Sequence, residues 1–202
     1  METFIVKSWE KIIIALKNIS LFNVITNIFP SAKGYGFVET WVIANFFASI
    51  ILLCISSVSN IRWWEIIILI YASSRIFEII IYQIYVLLFS KTLGGYRRLF
   101  ILLISNALEI LIWFAIFYRN FDYLFETKYI QLNSFLGSIY YSLVTMSTLG
   151  YGDIVPKNYY ALYITIPQTL IGIFIALIIL ARFISLIPKP KTLDEIEKQK
   201  NE

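Results

Sequence analysis

Apolar residues in this sequence come in runs about as long as a lipid hydrocarbon layer is thick, and every other feature has to fit that constraint. Trp41–Val58, Trp64–Phe89, Leu99–Tyr118 and Tyr159–Ile187 are four such runs, near or above the roughly 20 residues that a crossing helix needs. A backbone in hydrocarbon finds no water to bond, so these runs must be helical. Hydrophobic residues make up 59% of the chain, against about 45–50% in soluble domains. A fifth run, Ser134–Ser147, is too short to span. A half-length helix is tolerated at membrane depth only where protein surrounds it. The predicted fold class is an all-α membrane protein with four transmembrane helices and one re-entrant helix.

The runs carry few charges. Trp41 stands at one end of the first run and Trp63 and Trp64 lie just past the other, as interfacial anchors do. The second is interrupted by Ser73, Ser74, Arg75 and Glu78, and the third contains Asn106 and Glu109. Arg75 and Glu78 are three apart on one helical face and can form an intramembrane ion pair, or serve sensing or coupling to the rest of the molecule. No helix repeats arginine along one face as a voltage sensor does. The last run is interrupted by Pro167 and Gly172. Pro167 cannot bond the carbonyl four residues back, at Tyr163, so a kink near the outer third of this run is predicted.

Ahead of these runs, Phe4–Ile19 puts Ile5, Trp9, Ile12, Ile13 and Leu16 on one face and Lys7, Glu10, Lys11, Lys17 and Asn18 mostly on the other. That pattern predicts a helix lying in the membrane interface; the alternative is a spanning helix from Lys11 to Phe29, which would have to insert Lys17, Asn18, Asn23 and Asn27. Residues Pro30–Gly36 read as a loop. No cleavable signal peptide is predicted. The expected division is a cytoplasmic or interfacial segment 1–39, a two-helix unit with a basic linker 40–98, a third unit 99–187, and a short cytoplasmic tail 188–202. Basic residues Lys7, Lys11, Lys17, Lys33, Lys91, Arg97, Arg98 and Lys189 fall on one side of the predicted crossings. The expectation is therefore a multi-pass cell-membrane protein with both termini cytoplasmic.

With no histidine, and one cysteine, Cys54, inside an apolar run, serine–histidine catalysis, histidine-held metal or haem and intrachain disulfides are excluded. No enzyme activity and no cofactor are expected. The net charge of +4 comes from basic residues beside apolar runs, where they anchor at a membrane face, so the partners expected are lipid rather than nucleic acid.

After the short run, Thr148-Leu149-Gly150-Tyr151-Gly152-Asp153 alternates glycine with bulky residues. Glycine accepts positive φ at no steric cost, so such a stretch can alternate its backbone and aim successive carbonyls one way, replacing the water shell of a cation. This motif resembles the selectivity filter of potassium channels, with Leu149 in place of the usual valine, and the resemblance extends over roughly 99–187 as outer helix, pore helix, filter and inner helix. It implies that potassium, the permeant ion, is coordinated by Thr148, Leu149, Gly150 and Tyr151, with Gly152 completing the filter. Tyr140 and Tyr141 match the aromatic pair of the family's pore helix, and Asp153 the acid to which one of that pair bonds, so a tie from Tyr140 to Asp153 is expected. Val144 occupies a position where some members carry a buried glutamate behind the filter. Gly172, nineteen residues after Asp153, matches the inner-helix hinge glycine; with Pro167 it is a candidate for gating, and a glycine there equally permits close packing. One filter is a quarter of a ring, so the resemblance implies a fourfold homotetramer. The tail is too short for a ligand-sensing domain. A non-selective cation channel and a non-conducting modulatory membrane subunit are the other functions considered.

Overall fold

A computed structural model of the chain describes residues 4–28, 35–56, 62–89 and 96–186. The basic connection 90–95, Lys33 and the Lys-rich tail therefore lie outside the described residues. Among the described residues seven α-helices appear in order: α1 Phe4–Ile19, α2 Leu21–Ile28, α3 Tyr35–Ile55, α4 Arg62–Phe89, α5 Tyr96–Asn120, α6 Phe135–Met146 and α7 Tyr159–Leu186. Two three-residue strands, β1 Phe125–Thr127 and β2 Ile154–Pro156, flank α6.

The break between α1 and α2 is made by Ser20. Its hydroxyl accepts from Asn23 N at 3.2 Å, an N-cap that starts α2 in a new direction, and the two helices meet at 64°. A straight helix from Lys11 to Phe29 is therefore absent. On α1, Ile13 is buried while Lys7 and Lys11 are exposed and Glu10 is half-buried. Trp9, Ile12, Ile13 and Leu16 face Ile81, Ile84 and Leu88 of α4.

Helix α3 begins at Tyr35, several residues before Trp41 and inside the loop expected to run to Gly36. Glu39 makes that start look polar in sequence, but Arg98 Nε lies 2.5 Å from Glu39 Oε1, so the carboxylate is paired across to α5. Helices α3, α5 and α7 contain the stretches long and apolar enough to cross a membrane, Gly36–Ile55, Arg98–Asn120 and Tyr159–Ala181; α1 with α2 adds a fourth only if the bent pair is one span. The second predicted crossing, α4, is not among them, and Ser73, Ser74, Arg75 and Glu78 lie along its middle. Its 28 residues extend about 42 Å, and its contacts run antiparallel to both neighbours: Tyr71 bonds Asn45 of α3 and meets Trp113 of α5 edge-on, while Arg75, a turn further on, covers Trp41 and bonds Glu109.

Helix α5 forms the centre. Residues 109–116 are all buried, with Trp113, Ile110, Ala115 and Ile116 wholly so. Its C-terminal end carries a three-ring cluster: Tyr118 meets Tyr141 of α6 at 4.6 Å and Phe125 of β1 at 5.4 Å, and Phe125 meets Tyr141 at 5.3 Å, all edge-on. Strands β1 and β2 pair antiparallel with Glu126 opposite Val155. Lys128 N to Asp153 O at 3.0 Å and Lys157 N to Leu124 O at 2.9 Å lengthen the ladder at either end. The polar stretch before α6 is thus strapped to the chain leaving the glycine motif.

Candidate functional site: the Thr148–Asp153 loop and its supports

Helix α6 starts where Ser134 caps it. The Ser134 hydroxyl accepts from Gly137 N at 3.0 Å. A Cβ at Gly137 would lie 2.1 Å from the Gln131 carbonyl oxygen, so only glycine lets the preceding loop cross this closely. At its other end the helix tightens, with Thr148 N bonded to Thr145 O at 3.2 Å and Leu149 N to Val144 O at 3.0 Å.

The chain then alternates. Positive φ occurs at Thr148 (59°), Gly150 (60°) and Gly152 (74°). Two of these are glycines, as the sequence suggests. Thr148 is β-branched, and positive φ is a strained state for such a residue, of order 1–3 kcal/mol. The conformation persists only because the end of α6 imposes it. Thr148, Leu149, Gly150, Tyr151 and Gly152 are all exposed on the protomer.

Tyr140 and Tyr141 take different roles. The Tyr140 hydroxyl donates to Asp153 Oδ2 at 2.7 Å, and its ring stacks parallel on Tyr151 with centroids 6.4 Å apart. Asp153 Oδ1 accepts from Ile154 N at 3.1 Å. Tyr140, Tyr151 and Asp153 thus form one unit beside the loop. Tyr141 turns inward to the ring cluster with Tyr118 and Phe125. Val144 is buried, and it supports the loop through its carbonyl rather than its side chain.

On α7, Gly172 packs directly against the end of α6. A Cβ there would stand 2.2 Å from the Met146 carbonyl oxygen and 3.1 Å from its side-chain Cγ. Gly172→Ala is accordingly expected to lower stability by about 1–3 kcal/mol through overpacking against backbone. Thermal unfolding of the detergent-purified protein measures this; a Tm equal to the parent's contradicts the contact. Pro167 lies within α7, next to the buried Gln168.

Arg75 and Glu78 touch, and sequence reasoning missed their third partner. Arg75 Nη2 lies 2.9 Å from Glu109 Oε1, Arg75 Nε 3.1 Å from the same oxygen, and Trp113 Nε1 donates to it at 3.0 Å. Glu78 Oε1 also accepts from Phe22 N, in the first turn of α2, at 2.6 Å. One arginine, 2% exposed, therefore binds two buried carboxylates and joins α2, α4 and α5. Glu109 in an apolar run was the available signal, but nothing in linear spacing links it to Arg75.

Residues 106–189, from within α5 through α6, the loop and α7, match the family model described as an ion channel. No curated protein and no solved structure matches the chain.

Proposed function

We propose that this chain, whose residues 106–189 match an ion-channel family model, is a potassium-selective channel, conducting passively through a pore that four copies build together. The observation that carries this reading is the alternation of φ at Thr148, Gly150 and Gly152 within Thr-Leu-Gly-Tyr-Gly. Alternating backbone conformations turn successive peptide planes, so the carbonyls of Thr148, Leu149, Gly150 and Tyr151 can form a row facing one axis. The number and field of such oxygens in a closed ring replace the hydration of potassium better than that of sodium. A single strand coordinates from one side only, which is why the reading requires a homotetramer. The apolar face of α7 at Tyr163, Ile166, Leu170, Ile173 and Leu177 is exposed on the protomer and is available for such assembly.

In this reading the Tyr140–Asp153 bond, the Tyr140–Tyr151 stack and the ladder bond from Lys128 N to Asp153 O hold the outer end of the filter. The inner end takes its shape from the last turn of α6. The protein spans the cell membrane several times, with both termini in the cytoplasm and Asp153 toward the outside. Potassium flux from liposomes that hold the pure protein tests the proposal; liposomes that retain their potassium contradict it.

Gating by an intrinsic voltage sensor is not part of the reading. Among the described residues of α4, Arg75 is held between Glu78 and Glu109 rather than standing in a row of arginines. The expected conductance–voltage relation in planar bilayers is shallow. A steep curve, with several charges moved per channel, contradicts this.

A further inference from the structure

The inner helix touches the end of α6 at two successive turns. Gln168 is wholly buried. Its Oε1 accepts from the Tyr118 hydroxyl at 2.5 Å, and its Nε2 donates to Ser142 O at 2.9 Å and to Ser142 Oγ at 2.7 Å. Ser142 Oγ in turn donates to Leu111 O at 2.6 Å. The amide orientation is fixed by these partners, because a backbone carbonyl can only accept. One turn along α7, Gly172 lies against Met146 O. Ser142 and Met146 are four apart on one face of α6, and Met146 precedes Ser147 and the strained Thr148.

The inner end of the loop, among the described residues, is held through the end of α6. Its backbone bonds run back into α6 itself, from Thr148 N to Thr145 O and from Leu149 N to Val144 O. The placement of Thr148 is therefore inherited from the placement of α6. Gln168 ties α6 at once to α7 and, through Tyr118 and Ser142, to α5, in a fully satisfied buried network in which each bond depends on the others.

We infer that Gln168 is a positioning residue for the filter: its amide clamps the last two turns of α6 between the inner and outer helices and thereby holds Thr148 in its positive-φ conformation. The inference rests on the reading of residues 148–152 as a potassium filter, and it assigns α7 a part in setting that filter's geometry.

The test is Gln168→Leu, which keeps the bulk and removes all three bonds. Amide hydrogen exchange of the purified protein is expected to rise about tenfold across residues 143–150, the effect of losing buried hydrogen bonds worth about one power of ten. Peptides from α3 and the first half of α4 stay at the parent's rate. In bilayers the potassium-over-sodium permeability ratio falls by a similar factor of about ten. Parent-like exchange at 143–150, or a parent-like ratio, overturns the inference. Should Gln168→Leu fail to fold, Tyr118→Phe and Ser142→Ala each remove one bonded group, and the same two readouts decide, with about threefold effects expected. A parent that does not discriminate potassium from sodium overturns the filter reading instead, and the exchange data still decide whether Gln168 positions α6.

Discussion

Tyr151→Asp is expected to abolish potassium-over-sodium discrimination, lowering the permeability ratio by about a hundredfold, the equivalent of nearly 3 kcal/mol. The ring of Tyr151 lies flat against Tyr140, whose hydroxyl is bonded to Asp153. Removing the ring leaves Tyr140 with nothing to brace and takes away the spacer that fixes the Tyr151 carbonyl. The new carboxylate also stands two residues from Asp153, and like charges at that distance push the outer end of the loop apart. Leu149→Val is the matched control. Leu149 is 57% exposed and, in the proposed filter, would offer the ion only its carbonyl, so this substitution is expected to leave the ratio close to the parent's. Reversal potentials of the two variants under a potassium–sodium gradient separate these outcomes. A Tyr151→Asp channel as selective as the parent contradicts the role given to the ring.

Arg75→Met is expected to destabilise the protein by about 3–5 kcal/mol, because it leaves two carboxylates buried without their cation. Glu109 is wholly buried and Glu78 nearly so. The remaining donors, Trp113 Nε1 and Phe22 N, are neutral and do not balance the charge. Such a loss is a large share of the about 5–15 kcal/mol by which domains are stable. Neutralising the carboxylates as well, in the triple variant Arg75→Met, Glu78→Gln, Glu109→Gln, is expected to recover most of it, since the buried charge goes with its partner. Thermal unfolding of the single and triple variants is the comparison. A single variant with the parent's Tm, or a triple variant no better than the single, contradicts the account of this cluster.

How much of this was legible in the sequence depends on whether the cause was local. Glycine at 150 and 152 announces positive φ by itself, so the loop was readable, whereas Thr148 carries no such mark. Its conformation comes from the bonds that close the end of α6. The tie from Tyr140 to Asp153 was implied by the resemblance of both positions to the potassium-channel pattern; the stack of Tyr140 on Tyr151 was not, since ring orientation is set by packing. Long apolar runs located α3, α5 and α7. The start of α3 was misplaced because Glu39 reads as solvent-facing until Arg98 is brought beside it. Ser20 is one polar residue among several, and only the finished structure shows that it caps α2. Strands β1 and β2 are too short for an alternating pattern to register, so the strap across the stretch before α6 had no sequence signal. Glu109 and Gln168 were both visible as polar residues in apolar helices, which in a membrane marks a residue with a partner. Apart from Trp113, one turn from Glu109, their partners lie 34 and 26 or more residues away and come together only through helix packing.

The central claim is that residues 148–152 form a potassium filter, and the reversal potential of the parent protein tests it most directly. Pure protein in a planar bilayer, with potassium on one side and sodium on the other, is expected to reverse far toward the potassium equilibrium potential, because four rings of carbonyls match the larger ion. A reversal near zero would mean that this stretch does not select potassium.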